Sequence, residues 1–470
     1  MNPLIHDQFL LHNKIAERLY HEYAKPMPIV DYHCHVAVSQ INQNHQFTNI
    51  QEAWLATDQF KWRAMRINGI AERFCSGNAS PREKFQAWAE TVPKTLSNPL
   101  FHWTHLELAR YFGIDKVLLN GDTAEEIWQE TNRQLQSPDY TVQGLFRKMN
   151  VKAVCTTDDP LDDLALHRSL ENQTSGGIVV RPTFRPDRAL AVENVEKFNA
   201  WVDQLGKLVG KRLGTYQEFL NALAKRHDFF HSMGCRQAHH AIETMFCADY
   251  SDQKTSLIYG EIRAGNPLND KKIAQFRTAV LRELCILNHQ RGWVQQFHIG
   301  VMRNSNSRMA AAYGADIGFD AITDKHYAKK LANFLDHLDS HNQLTKTILY
   351  GFNPKDQDML AAMSSAFQDG SQPGKIQCGA GWWFQGQKRS IEQQIDSLAN
   401  MSLLSHFIGI SSGTRSVLSY PRHEYFRRVL CNLLGQDMEQ GLIPMDFAWI
   451  GQVVQDICYH NANRYFALGI

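Results

Sequence analysis

The stretch Ile29-Val30-Asp31-Tyr32-His33-Cys34-His35 decides the reading of this chain. It is a short apolar run that closes in polar residues, the pattern of a strand buried on both faces. In a strand, side chains two apart share a face, so His33 and His35 project together at the carboxyl end. Two adjacent imidazoles make a subsite for a divalent metal, although an isolated H-x-H pair also occurs as ordinary packing. Working outward, seven more runs of this kind follow: Val151–Thr157, Ile178–Phe184, Gly234–Ala241, Gly292–Ile299, Thr347–Phe352, Lys375–Trp383 and Phe407–Ser412. Eight buried strands separated by helical patterns are the signature of an α/β fold, a TIM-type (β/α)8 barrel.

Several of the intervening helices open on a Ser or Thr with Glu three residues later, the capping-box pattern that satisfies free helix amides reciprocally. Ser80-Pro81-Arg82-Glu83, Thr123-Ala124-Glu125-Glu126 and Thr215-Tyr216-Gln217-Glu218 read this way. The interval from Val36 to Asn150 breaks the alternation and reads as helices and loops throughout. Residues 36–150 are therefore expected to form a helical lobe inserted after the first strand of a single barrel spanning 1–470. Springing from a strand end, that lobe would sit over the face where barrels place their sites and could supply a lid.

Composition narrows the partners. With 470 residues and 43% hydrophobic content, the chain can bury a large core without disulfides. Its 49 basic and 48 acidic residues leave a formal charge of +1, and no Lys/Arg block tracks a phosphate backbone, so nucleic acid is excluded as the expected partner. The amino terminus lacks the order of a secretory signal and no apolar run reaches spanning length, so no membrane association and a cytoplasmic location are expected. Nine cysteines are scattered singly from Cys34 to Cys458 without a CxxC pair, which argues for reduced core residues rather than disulfides or a cysteine zinc site. No organic cofactor is expected, and the oligomeric state stays open, a homo-oligomer included.

Nearly every strand ends in residues that bear chemistry. Asp158 and Asp159 follow the second, Arg185 the third, His239 and His240 lie in the fourth, and His298 closes the fifth. Asn353 ends the sixth, Trp382 and Trp383 the seventh, and Arg415 comes just after the eighth. Each has a plainer reading: Asp158-Asp159-Pro160 as a turn or cap, His298 as a satisfied core histidine, the tryptophans as packing. An indole face, however, is also how proteins hold the apolar side of a sugar ring. Arg185 and Arg415 resist the plain reading, because two guanidiniums at a pocket rim suit an anion held by paired hydrogen bonds.

These residues resemble those of a known family, the uronate (glucuronate) isomerases of the amidohydrolase superfamily. The likeness runs end to end and includes Asp31-Tyr32-His33-Cys34-His35, Lys61-Trp62-Arg63-Ala64-Met65-Arg66 and His102-Trp103-Thr104-His105-Leu106-Glu107-Leu108. It continues through Thr156-Thr157-Asp158-Asp159-Pro160, Arg185-Pro186-Asp187, Gly381-Trp382-Trp383-Phe384 and Arg422-His423-Glu424-Tyr425-Phe426-Arg427-Arg428. The resemblance implies a distorted amidohydrolase-type barrel that interconverts D-glucuronate with D-fructuronate and D-galacturonate with D-tagaturonate in hexuronate breakdown. It implies His33 and His35 as ligands of a divalent metal, zinc first, and Arg185, His298 and Arg415 as pocket residues. Trp382 and Trp383 correspond to the family's tryptophan pair, and His240 and Asp158 join the expected substrate contacts.

Aldose–ketose exchange through an enediol requires a base near C2, an acid or electrophile at the carbonyl and an anchor for the carboxylate. The chain departs from the family pattern at the base. Where relatives read Thr-Asp-Ser-Arg-Ser, this sequence has Ser412-Gly413-Thr414-Arg415-Ser416; Phe60 replaces a tyrosine, and Ala238-His239-His240 replaces Ser-Asp-His. Gly413 can neither ligate nor accept a proton, so His239, His240 or His298 would complete the metal set or act as base, a neutral imidazole being able to accept a proton. Two other classes compete: a sugar-acid binding protein without turnover, and a hydrolase acting through metal-bound water.

Overall fold

Strand β1 (Ile29–Asp31) starts a parallel ladder that runs through β2 (Val151–Cys155) to β3 (Val179–Arg181). The structure, a computed structural model, describes residues 3–172, 177–381 and 385–470. A second parallel ladder joins β4 (Gln237–Ile242), β5 (Val294–Ile299), β8 (Thr347–Gly351) and β9 (Ile376–Cys378). Phe184 stitches the two together, bridging Asp158 on one side and Ala238 on the other. All six residues of β5 are buried, as expected of a parallel strand covered on both faces. Between β5 and β8 the chain makes an unanticipated antiparallel pair, β6 (Val301–Met302) with β7 (Ala321–Ile322), at the base of an excursion over residues 303–320.

The eighth expected strand, Phe407–Ser412, does not form a ladder. Gly409 and Gly413 sit at φ of +70° and +54°, left-handed conformations that break an extended strand. A Cβ at Gly409 would lie 2.5 Å from the Ile457 carbonyl oxygen, so only glycine permits that close approach. The segment nevertheless closes the barrel by other bonds. Tyr32 Oη donates to Gly409 O at 2.9 Å, Gly413 N to His33 O at 3.0 Å and His35 N to Thr414 O at 2.7 Å. Buried Asp31 accepts both the backbone N–H and the hydroxyl of Ser412.

The first strand is shorter than its sequence suggests, ending at Asp31, so His33 and His35 occupy the turn that follows rather than one strand face. What brings them together is the pairing with residues 413–414, not strand alternation.

Between β1 and β2 the described chain is helical, with the longest helix at Pro99–Phe112. Ser80 and Thr215 form capping boxes, and Pro81 takes the first helical position. Thr123 does not cap: its backbone is already helical and its hydroxyl donates to Leu118 O at 2.7 Å. All nine cysteines are free thiols, seven of them buried. Among the described residues no helix is long and apolar enough to cross a membrane.

Candidate active site

At the carboxyl ends of the strands lies a cavity of about 1010 Å³ lined by His33, His35, Arg185, His239, His298 and Arg415. Its size sits at the upper end of small-molecule sites. Four imidazoles form one cluster: ring centroids of His33 lie 5.0 Å from His35 and 4.7 Å from His239, both edge to face, and 4.8 Å from His298, tilted by 33°. His298 stacks on Tyr350 at 4.4 Å with planes 8° apart. Beneath it, Tyr350 Oη donates to Gln296 Oε1 at 3.0 Å, and Gln296 Nε2 to Gln237 Oε1 at 2.8 Å. His298 thus rests on a hydrogen-bonded polar layer.

Burial keeps these rings neutral. It drives His33 down to about 3, with the nearby Arg185 charge adding to the effect, and holds His35, His239 and His298 well below the ordinary imidazole range. Neutral imidazoles are the form that ligates metals. Both ring nitrogens of His239 are buried without a hydrogen bond among the described residues, a costly state that a ligand would relieve. The donors therefore fit a divalent metal in kind. As the rings stand, however, no group of three or more His, Cys, Asp or Glu among the described residues is arranged to hold an ion.

Arginines share the cavity wall with the histidines, and the Arg185 charge reaches all four rings. Arg185 Nε donates to Asp187 Oδ2 at 2.7 Å, while Asp187 Oδ1 accepts Ala241 N at 3.1 Å, so the guanidinium is steered by a fixed carboxylate. Burial opposes its charge, but Asp187 together with the charges of Asp316 and Asp159 raises it above the usual arginine range. Arg415 Nη2 reaches Asp316 Oδ2 at 3.2 Å, and Arg303, also on the cavity wall, pairs with Asp320 at 2.7 Å.

Not every expected contact is here. His240 faces away from the cavity, its ring stacked 5.6 Å from Phe297. Its neighbour His239 takes the inward position. Asp158 also lies off the cavity: Oδ2 accepts Thr156 Oγ1 at 2.8 Å and Thr183 N at 3.1 Å, and burial pushes its carboxyl up to about 7. Asp159 and Asn353 serve turns, accepting Leu161 N and Lys355 N respectively. Trp382 and Trp383 lie outside the described residues. Phe60 and Gly413 do line the cavity, which places two departures from the family pattern on its wall.

Sequence reasoning assigned no role to Arg303, Asp187, Asp316 or Arg422, all of which line the cavity. Asp187 was within reach, two residues after Arg185 past a strand end. Arg303 follows β6, a strand too short to leave a sequence signal.

Parallel strands closing through a distorted eighth segment, with histidines and arginines over their carboxyl ends, define an α/β barrel with its site on the face where such barrels carry their chemistry. The chain belongs to the glucuronate isomerase family, whose family model matches residues 1–466. It is 50% identical over 462 residues to a uronate isomerase of Cellvibrio japonicus, covering 98% of each chain. It is 46% identical to one of Phocaeicola vulgatus, covering 99% of this chain and 100% of that one. The crystal structure of uronate isomerase from Thermotoga maritima superposes with a TM-score of 0.92 at 33% identity, covering 98% of this chain and 99% of that one.

Proposed function

We propose that this protein is an aldose–ketose isomerase of hexuronates, interconverting D-glucuronate with D-fructuronate and D-galacturonate with D-tagaturonate. The observation that carries the reading is that a neutral histidine cluster shares one cavity with Arg185 and Arg415. Relatives that share about half the residues over the full length support isomerisation and lend nothing to the hydrolytic or non-catalytic readings.

In the reaction, a base takes the C2 proton and O1 gains a proton to give the enediol; O2 then loses its proton as C1 gains one. Arg415, with Arg185 and Arg303 beside it on the cavity wall, would hold the carboxylate by charge-assisted hydrogen bonds and so place C2 among the histidines. His298, locked against Tyr350, is the base we assign. His33 and His35, completed by His239, would hold a divalent metal, zinc first. Bound there, such an ion supplies Lewis-acid polarisation of a carbonyl oxygen. His240 and Asp158, turned from the cavity, are left as structural residues, and Trp382 and Trp383 as a platform for the sugar face. We place the reaction in the cytoplasm, with the helical segment 36–150 as the roof of the site.

Proton NMR of D-glucuronate with metal-analysed protein in deuterated buffer tests this reading. Ketose formation with loss of the C2 proton is expected. Saturable binding without either would sink the isomerase reading in favour of a binding protein.

A further inference from the structure

The cavity wall holds a carboxylate whose surroundings differ from those of its neighbours. Asp187 is committed to Arg185 and the Ala241 amide, and Asp58 to Lys61 and the cap of helix Gln59–Ile67. Asp316 instead bridges two guanidiniums at the mouth: Oδ1 lies 3.3 Å from Arg303 Nη1 and Oδ2 3.2 Å from Arg415 Nη2. Its negative charge also reaches Arg185. One carboxylate spread over two arginines is how a sugar acid's own carboxylate would be held.

Asp316 is not what keeps its segment in place. Arg66 Nη1 donates to Ile317 O at 2.5 Å and Arg63 Nη1 to Asp320 O at 2.8 Å. Buried Asp320 takes Arg303 at 2.7 Å and the Asn304 amide at 2.8 Å. Gly318 lies against Gln59, where an added Cβ would come within 2.7 Å of its carbonyl oxygen. The excursion is thus pinned to the helical segment and to β6 without the Asp316 side chain. That side chain is half exposed, and its contacts are longer than the roughly 2.7–2.9 Å of strong charge-assisted bonds. It is held loosely enough to leave.

We propose that Asp316 is an internal stand-in for the ligand carboxylate, occupying the Arg303–Arg415 pair in the free protein and displaced when a hexuronate binds. The inference rests on the sugar-acid reading above. Its consequence is selectivity: a ligand must outcompete a tethered carboxylate, which a bare monocarboxylate does poorly and a sugar acid with further hydroxyl contacts does well.

The test compares the parent with Asp316→Asn and Asp316→Glu, measuring KM and kcat for D-glucuronate and the calorimetric Kd of glycolate as a minimal carboxylate. With exposed pairs of this kind removed, the Asn variant should bind both ligands about two- to tenfold more tightly. The gain should fall on KM rather than kcat, and the Glu variant should stay near the parent. Weaker or unchanged glycolate and glucuronate binding in the Asn variant would overturn the proposal, weaker binding marking Asp316 as a positioner of the arginines. Should the parent fail to turn over D-glucuronate while glycolate still binds more tightly to the Asn variant, the isomerase reading falls and this one stands.

Discussion

Lys61 offers the sharpest test of how the site is supported. Its ammonium is buried at 2% side-chain exposure, 2.8 Å from Asp58 Oδ2 and 3.8 Å from Glu107 Oε2, whose side chains are 7% and 2% exposed. Arg422, stacked 4.1 Å over Trp103, adds the second positive charge that both carboxylates feel. Two cations thus balance two carboxylates around the buried ammonium, and Lys61→Met leaves one cation for two. Breaking a buried pair by removing one partner costs about 3–5 kcal/mol, so a loss of that size is expected at pH 8. The sign with pH follows from Glu107, which burial already raises above the usual glutamate range. Losing Lys61 raises it further, and a carboxyl raised in the folded state loses stability as pH climbs through its folded value. The deficit should therefore shrink at pH 5, where Glu107 can take a proton. Urea unfolding followed by tryptophan fluorescence reads this, since Trp54 and Trp88 flank the ammonium at 5.1 and 5.9 Å. Lys61→Met/Glu107→Gln should recover at least half of the loss. A deficit below about 1 kcal/mol, or one that ignores both pH and the second substitution, would refute the charge-balance argument.

Two further outcomes follow. Asp158, raised by burial from 3.8 to about 7, binds a proton in the folded state that the unfolded chain releases. Its contribution is full below pH 4 and lost as pH rises through 7, a swing of roughly 4 kcal/mol between parent and Asp158→Asn in denaturant titrations; parallel pH profiles would contradict it. Gly413→Asp introduces a carboxylate at φ +54°, a conformation Asp tolerates, at an expected stability loss of about 1–2 kcal/mol. Zinc affinity by competition with a chromophoric chelator should rise, and an unchanged affinity would mean that the carboxylate cannot reach the histidines.

Much of this site was legible in the sequence, and the failures have identifiable causes. His33, His35, Arg185 and His298 reach the cavity because each lies past or at the end of a parallel strand, and Arg415 reaches it because residues 413–414 bond back to residues 33–35. The His239–His240 pair was ambiguous because β4 is buried on both faces, so hydrophobic alternation gives no parity signal. Pairing settles it: Ala241 lies opposite His298 and His240 opposite Phe297, which sets His239 with the inward residues. The eighth strand failed because its apolar run looked extended, while the two left-handed glycines that break it are visible only as backbone angles. Arg303 and Asp316 were missed because their excursion carries neither helical nor strand periodicity.

By itself, then, the sequence determined the barrel, the order of its strands, and which residue types would crown them, since these follow from apolar periodicity and chain order. Tertiary structure alone decided that residues 33–35 pair with 413–414, that His239 rather than His240 faces the cavity, and that Asp316 lies between Arg303 and Arg415. Those facts join residues from 13 positions apart, Arg303 to Asp316, through 99, Arg415 to Asp316, to about 380, His35 to Thr414. No local pattern encodes such pairings, because each depends on where two separately folded segments come to rest.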